Sequence, residues 1–302
     1  MTATAPVALR VGVIGAGAMG GGVVQSLVRA GIATSARDIS VAAQARAVGH
    51  GATDCASAAA VARAADVLIM LVVDAVQVES VLFGPEGVAS AGVPDRVVLV
   101  CSTVDPLYVK NLAPRLAAAG IALIDAPVSG GPAKAAAGTM TMMVSGDEAA
   151  LMRVRPILDR IAGRVFVLGT RAGDASTFKI VNNLLAAANL AAGAEALALA
   201  HAAGLDLERV RDVVNASSGA SWIFADRIPR ALQNDLSPRA AVKLLAKDVA
   251  IATALAERLR VDAPFSKLAR SAFSAAVAAG HAEDDDAVLL RLAVSAARSD
   301  ER

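Results

Sequence analysis

Aromatic side chains are scarce in this chain: 3 % of 302 residues, with one Trp, one Tyr and six Phe. A platform that stacks single-stranded bases needs several rings, so that class is excluded. Net charge is nearly absent as well. The 29 basic and 28 acidic residues leave +1, whereas a general nucleic-acid binder needs a basic stripe to displace counterions. Cysteine is limited to Cys55 and Cys101, too few for a disulfide framework. Each lies among small or apolar neighbours, and a buried free thiol is the expected state. His50, His201 and His281 stand far apart and offer no metal-ligand spacing, so no metal is expected. Residues 1–8 are too short an apolar stretch for a signal-peptide core.

What the chain has in abundance is small apolar side chains. Apolar residues reach 56 %, mostly Ala and Val. Such a chain can bury a large core, and its length suits one large domain or two ordinary ones. Residues 184–203 are about as long as a membrane span requires. Asn189, Glu195 and His201 within them are costly in lipid. The expectation is a buried helix of a soluble, cytoplasmic protein with neither membrane nor nucleic acid as partner.

Short apolar runs at 9–14, 32–36, 67–73, 97–101, 121–125 and 165–168 read as strands. The run at 67–73 is apolar on both faces, as in a central parallel strand covered by helices on each side. Helical spacing fills 19–30, 41–50, 58–64, 76–83 and 106–119. The alternation implies a Rossmann-type doubly wound parallel α/β sheet. Residues 139–144 add a strand at the sheet edge. Past 174 no strand is evident. Helical stretches at 175–203, 207–215, 240–259, 264–279 and 286–297 imply an all-α second domain, and residues 298–302 a solvated tail. The expected division is 1–169 and 170–302, joined by a rigid helix, with the site in a cleft between the domains.

The first strand runs into Gly15-Ala-Gly-Ala-Met-Gly20, and a helix follows. In this setting Gly15 permits the tight turn and Gly17 lets the backbone approach a pyrophosphate. Gly20 lets the helix pack on the strand, and the helix N-terminus faces the phosphates. Asp38 lies 23 positions after Gly15, near the roughly 20-residue offset of a ribose-binding carboxylate. It favours NAD over NADP, although Arg37 beside it can hold a 2′-phosphate. Ser40 is available to cap the next helix in its place.

Two further stretches are suggestive. Ser129-Gly130-Gly131, after the strand at 121–125, offers a hydroxyl and open amides that suit a carboxylate, and on spacing alone suits a plain turn equally well. Lys179 and Asn183 are four apart and share a helical face. A Lys in so apolar a helix either has a task or reaches water at a domain edge. Burial of a lysine lowers its pKa toward the range useful for proton transfer, as a general rule.

These residues together resemble the β-hydroxyacid dehydrogenases, the 3-hydroxyisobutyrate dehydrogenase-like family, and more distantly 6-phosphogluconate dehydrogenase. The resemblance rests on Val11-Gly-Val-Ile-Gly-Ala-Gly-Ala-Met-Gly20, Asp125-Ala-Pro-Val-Ser-Gly-Gly131, Lys179-Ile-Val-Asn-Asn183 and Lys247-Asp248, in that order. It implies an oxidoreductase that passes hydride between NAD and the hydroxyl carbon of a small hydroxy acid. Lys179 becomes the catalytic acid/base. Ser129, Gly130, Gly131, Asn183 and Lys247 contact the substrate. The cofactor set is Gly15, Gly17, Ala18, Met19, Gly20, Asp38, Val72, Val73 and Thr103, with Lys247 reaching cofactor and substrate alike. Lys247 also reads as a surface charge paired with a neighbouring acid. Trp222 and Phe224 fit a pocket wall, a core or a dimer interface.

Within the family, Gly219-Ala-Ser-Trp-Ile-Phe224, Ser237-Pro-Arg-Ala-Ala-Val242 and Glu283-Asp-Asp-Asp-Ala-Val288 resemble the branch acting on four-carbon sugar acids. The Asn182-Asn183 pair follows the general hydroxyisobutyrate pattern instead. The alternatives are 3-hydroxyisobutyrate or tartronate semialdehyde chemistry, an imine or amino-acid dehydrogenase on the same scaffold, and a catalytically silent NAD-binding module. Ala-rich helices imply a homodimer or homotetramer built through the helical domain.

Overall fold

Gly15 sits at φ +87° where β1 (Val11–Ile14) turns into α1 (Ala18–Arg29). In this computed structural model, which describes residues 9–237 and 239–299, that turn opens the first of two compact units. The first unit ends at Lys179 and the second begins at Ile180. The stretch at 1–8 and residues 300–302 of the expected tail lie outside the described residues.

After α1 come β2 (Thr34–Arg37), α2 (Val41–Gly49), β3 (Thr53–Asp54), α3 (Ala58–Ala64), β4 (Val67–Met70) and α4 (Ala75–Phe83). β5 (Arg96–Val100), α5 (Pro106–Ala117), β6 (Ile121–Asp125), β7 (Val128–Ser129) and α6 (Gly131–Ala137) follow. β8 (Met140–Gly146), α7 (Glu148–Ile161) and β9 (Ala162–Val167) complete the sheet region. Helix starts are written into the sequence as caps: Ser40, Ser57, Asp74 and Asp147 each accept from an amide three residues on. The strand order is β3-β2-β1-β4-β5-β6-β8-β7, with β9 on β8. It is parallel through β6.

β4 is buried on both faces, as expected. Val67 and Ile69 enter one core, while Leu68 and Met70 enter the other. It ends at Met70 rather than Val73, because Val72 N–H donates to Ser102 Oγ and Val73 N–H to Gln77 Oε1. Side chains take the donors that a continuing ladder would use. The strand expected at the edge is interior: β8 pairs antiparallel with β6 and β7 and parallel with β9. Both cysteines are free and buried.

The second unit takes up α8 (Asp174–Ala202), which begins in the first, and continues with α9 (Leu207–Asn215), α10 (Trp222–Leu232), α11 (Val242–Arg258), α12 (Pro264–Ala276) and α13 (Val288–Ser299). A wide turn at Val277–His281, broken at Gly280, ends α12 before the expected residue 279. α13 extends through part of the expected tail. Leu190, Leu197, Phe224, Val249 and Phe273 centre the core. At Gly193 a Cβ would stand 2.6 Å from the Phe224 ring, so the small residue permits this contact. The expectation of a buried α8 is corrected: only 33 % of its most apolar window is buried. It is the one helix among the described residues long and apolar enough to cross a membrane.

Candidate active site

The glycine loop follows β1 at the carboxyl end of the sheet, beside β4, where the strand order reverses. A Cβ on Gly15 would lie 2.5 Å from Leu71 O, and one on Gly20 would lie 1.8 Å from Gly15 O. Both glycines are therefore demanded by the fold itself. Gly17 differs, because a Cβ there meets nothing within 4 Å. No side chain caps α1, whose N-cap is Gly17. An open, uncapped helix start with Ala18 and Met19 in its first turn fits a pyrophosphate, which would take up those amides.

Asp38 closes the other side of this loop. Its Oδ2 accepts from Ala16 N–H at 2.7 Å and its Oδ1 from Ser40 N–H at 2.7 Å. Ser40 Oγ caps α2 through Ala43 N–H, so the cap is Ser40's and not Asp38's. The Asp38 amide in turn donates to Gln44 Oε1 at 2.6 Å. A carboxylate held this way is fixed at the end of β2, next to the glycine turn. Arg37, the last residue of β2, lies beside it. Val72 flanks Gly15, its Cγ1 standing 3.1 Å from where a Cβ would be. Its amide bond to Ser102 brings the segment containing Thr103 alongside. The ends of β1, β4 and β5 thus gather Gly15, Val72 and Thr103, while Val73 stands on the exposed side.

Ser129 lies in the short β7 paired with Thr141, not in a free loop. Gly130 at φ +123° and Gly131 at φ +75° then turn the chain into α6. These conformations are strained for any other residue.

Asp125, the last residue of β6, is fully buried. Its Oδ2 accepts from Gly173 N–H at 2.9 Å and Ser176 N–H at 2.8 Å, and its Oδ1 from Ser176 Oγ at 2.6 Å. Burial pushes its pKa above the ordinary carboxylate value, against the pull of these donors. Lys179, further along α8, is 8 % exposed. Asn183, one turn later, is equally buried. In the second unit Asn183 Nδ2 donates to Asp248 Oδ2 at 2.6 Å, and Lys247 Nζ donates to Asp248 Oδ1 at 2.7 Å. The paired-acid reading of Lys247 is met, but its acid is also the anchor of Asn183. Phe224 is core, whereas Trp222 is largely exposed. No group of His, Cys, Asp or Glu among the described residues has a metal-binding arrangement.

Two family models match the chain. The NAD binding domain of 6-phosphogluconate dehydrogenase covers residues 10–169. The NAD-binding domain of NADP-dependent 3-hydroxyisobutyrate dehydrogenase covers 173–293. The L-threonate dehydrogenase of Cupriavidus necator is 42 % identical over 93 % of this chain and 95 % of its own. Among solved structures, a 3-hydroxyisobutyrate dehydrogenase from Salmonella typhimurium has TM-score 0.87 and 40 % identity, covering 94 % of this chain and 99 % of that one. Psf3 in complex with NADP+ and 2-OPP has TM-score 0.86 and 28 % identity, covering 93 % and 99 %.

The chain belongs to the β-hydroxyacid dehydrogenase family.

As a member of that family it is an oxidoreductase that uses a nicotinamide dinucleotide to act on small hydroxy acids. The silent-module alternative is set aside by this membership together with an intact, buried Lys179. Sequence reading placed Asp125 and Asp248 inside motifs without giving either a task. The α8 partners of Asp125 lie 48 and 51 positions away, and Asn183 lies 65 positions from Asp248, beyond the reach of local patterns. Ser145 and Ser176, ordinary polar residues in the sequence, carried no signal.

Proposed function

We propose that this dehydrogenase oxidises L-threonate or a close four-carbon sugar acid with NAD+ and that Lys179 is its acid/base. The observation that carries the chemistry is the burial of Lys179 and Asn183 one turn apart on α8. The high identity to a protein named L-threonate dehydrogenase supports the substrate. Ser129 and the Gly130 and Gly131 amides take the substrate carboxylate, a contact favoured by two glycines at positive φ that leave the backbone open. Asn183, held by Asp248, orients a substrate hydroxyl. Lys247 adds positive charge toward cofactor and substrate.

The nicotinamide, when bound, supplies the acceptor for the hydride leaving the hydroxyl carbon. Lys179, neutral at the start of oxidation, removes the hydroxyl proton as that C–H bond breaks. In the reverse direction its ammonium returns the proton to the nascent alkoxide. Gly15, Gly17, Ala18, Met19 and Gly20 hold the pyrophosphate, with Val72, Val73 and Thr103 lining the ribose side. Asp38 selects NAD by accepting from the ribose hydroxyls and repelling a 2′-phosphate.

The protein works in the cytoplasm as a homodimer or homotetramer. Leu185, Leu199, Phe265 and Leu268 of the second unit are each more than half exposed, and an apolar groove of about 620 Å³ runs between α8, α12 and α13. Surface of that kind is covered in stable assemblies. A second substrate reading, 3-hydroxyisobutyrate, draws on the Asn182-Asn183 pair after Lys179.

The test is reduction of NAD+ and NADP+ with L-threonate, D-threonate, 3-hydroxyisobutyrate, glycerate and serine. L-threonate with NAD+ is expected to give the highest kcat/KM. A leading three-carbon or branched acid overturns the substrate, and a strong rate only with NADP+ overturns the role of Asp38.

A further inference from the structure

α8 starts without a cap of its own. Its N-cap position is Gly173, which has no side chain and stands at φ +97°. A Cβ there would lie 2.6 Å from Pro106 O, so no residue with a capping side chain fits. A helix start leaves four N–H groups to be satisfied. Here Asp174 N–H donates to Arg171 O at 3.2 Å. The other three go to two neighbouring strands. Gly173 and Ser176 donate to Asp125 of β6, and Ala175 donates to Ser145 Oγ of β8 at 3.0 Å. Asp125 and Ser145 are direct cross-strand partners, and Ser145 Oγ also reaches Asp125 Oδ2 at 3.4 Å. The Ser176 hydroxyl completes the set on Asp125 Oδ1.

We propose that Asp125, seconded by Ser145, is a positioning residue for the reaction: it caps α8 from the sheet and so fixes where Lys179 stands. Lys179 is three residues past Ser176, about 4.5 Å of helix rise, so a shift of the helix start is transmitted to its ammonium without slack. The same carboxylate ends the strand that delivers Ser129 four positions later. One buried group thereby ties the lysine that moves the proton to the loop that takes the substrate carboxylate. A 1 Å misplacement of reacting groups costs about a hundredfold in rate, and loss of the cap has that consequence. Ordinary helix capping affects only stability, and the difference is measurable. The inference rests on Lys179 as the acid/base.

The experiment measures kcat, hydroxy-acid KM and NADH affinity by fluorescence for Asp125→Ala, Asp125→Asn, Ser145→Ala, Ser176→Ala and Lys179→Ala, each normalised to its folded fraction. Asp125→Ala is expected to lose about a hundredfold in kcat with NADH affinity unchanged. Asp125→Asn keeps an acceptor for Gly173 and Ser176 and an amide that can face Ser176 Oγ. It is expected to recover most of the loss. The serine variants are expected to lose a few-fold each, and they decide the matter if Asp125→Ala does not fold. Wild-type kcat in folded Asp125→Ala, or in both serine variants where it does not fold, overturns the inference. Wild-type turnover in Lys179→Ala instead overturns the reading beneath it.

Discussion

Asp248 holds Asn183 through a 2.6 Å hydrogen bond spanning 65 positions of sequence. Its second oxygen takes Lys247 at 2.7 Å. One carboxylate thus sets the direction of an amide and an ammonium. In Asp248→Ala both lose this acceptor, and leaving the buried Asn183 amide unsatisfied costs about 1–3 kcal/mol. The expected outcome is a rise of about tenfold or more in hydroxy-acid KM with a smaller rise in the KM for NAD+, through Lys247. Steady-state kinetics with each substrate varied in turn check it.

Gly17 and Gly20 separate cofactor binding from folding. A methyl at position 20 collides with Gly15 O, whereas one at position 17 meets no protein atom. Gly20→Ala is expected to lower Tm markedly, since overpacking costs about 1–3 kcal/mol. Gly17→Ala is expected to keep Tm and, on the proposed placing of the pyrophosphate against this glycine, to weaken NADH binding by about tenfold or more. Thermal melts with and without NADH distinguish the two.

Asp38 holds the loop geometry, and the proposed cofactor preference rests on the same carboxylate. Asp38→Asn turns an amide toward Ala16 N–H or Ser40 N–H and removes the charge that repels a 2′-phosphate. The ratio of kcat/KM for NAD+ over NADP+ is expected to fall by about tenfold. An unchanged ratio assigns Asp38 to the loop alone.

How much of this was legible follows from the range of each signal. The glycine turn, the doubly buried β4 and the Lys179/Asn183 face are local patterns, and the sequence shows them directly. α7 was missed although Ala150, Val154, Ile157, Leu158 and Ile161 repeat at helical spacing. Pro156 in its middle reads as a break, yet the helix continues through it. Pro229 hid α10 in the same way. β3 and β7 are two residues each, too short for any periodicity. Asp125 and Asp248 owe their tasks to strand and helix partners far away in sequence, which only the tertiary structure brings together.

Arg10 and Asp66 join the entrances of β1 and β4. Asp66 accepts from Arg10 Nε and N–H on one oxygen and from Nη2 on the other. The guanidinium holds the carboxyl down, from 3.8 to about 2. A lowered carboxyl favours the ionised folded state, so its stabilisation is complete above pH 3.8 and lost as pH falls through about 2. The pair is half exposed on the Arg10 side, so solvent screens it and its worth is small. Asp66→Asn is expected to lower Tm by about a degree at pH 7 and to match the wild type near pH 2. Melting curves across that range test it.

The most direct measurement of the central claim is kcat for L-threonate with NAD+ in Lys179→Ala, with NADH affinity measured on the same sample. A buried acid/base predicts a loss of about 10²–10⁴-fold with cofactor binding intact. Turnover at the wild-type rate would contradict it.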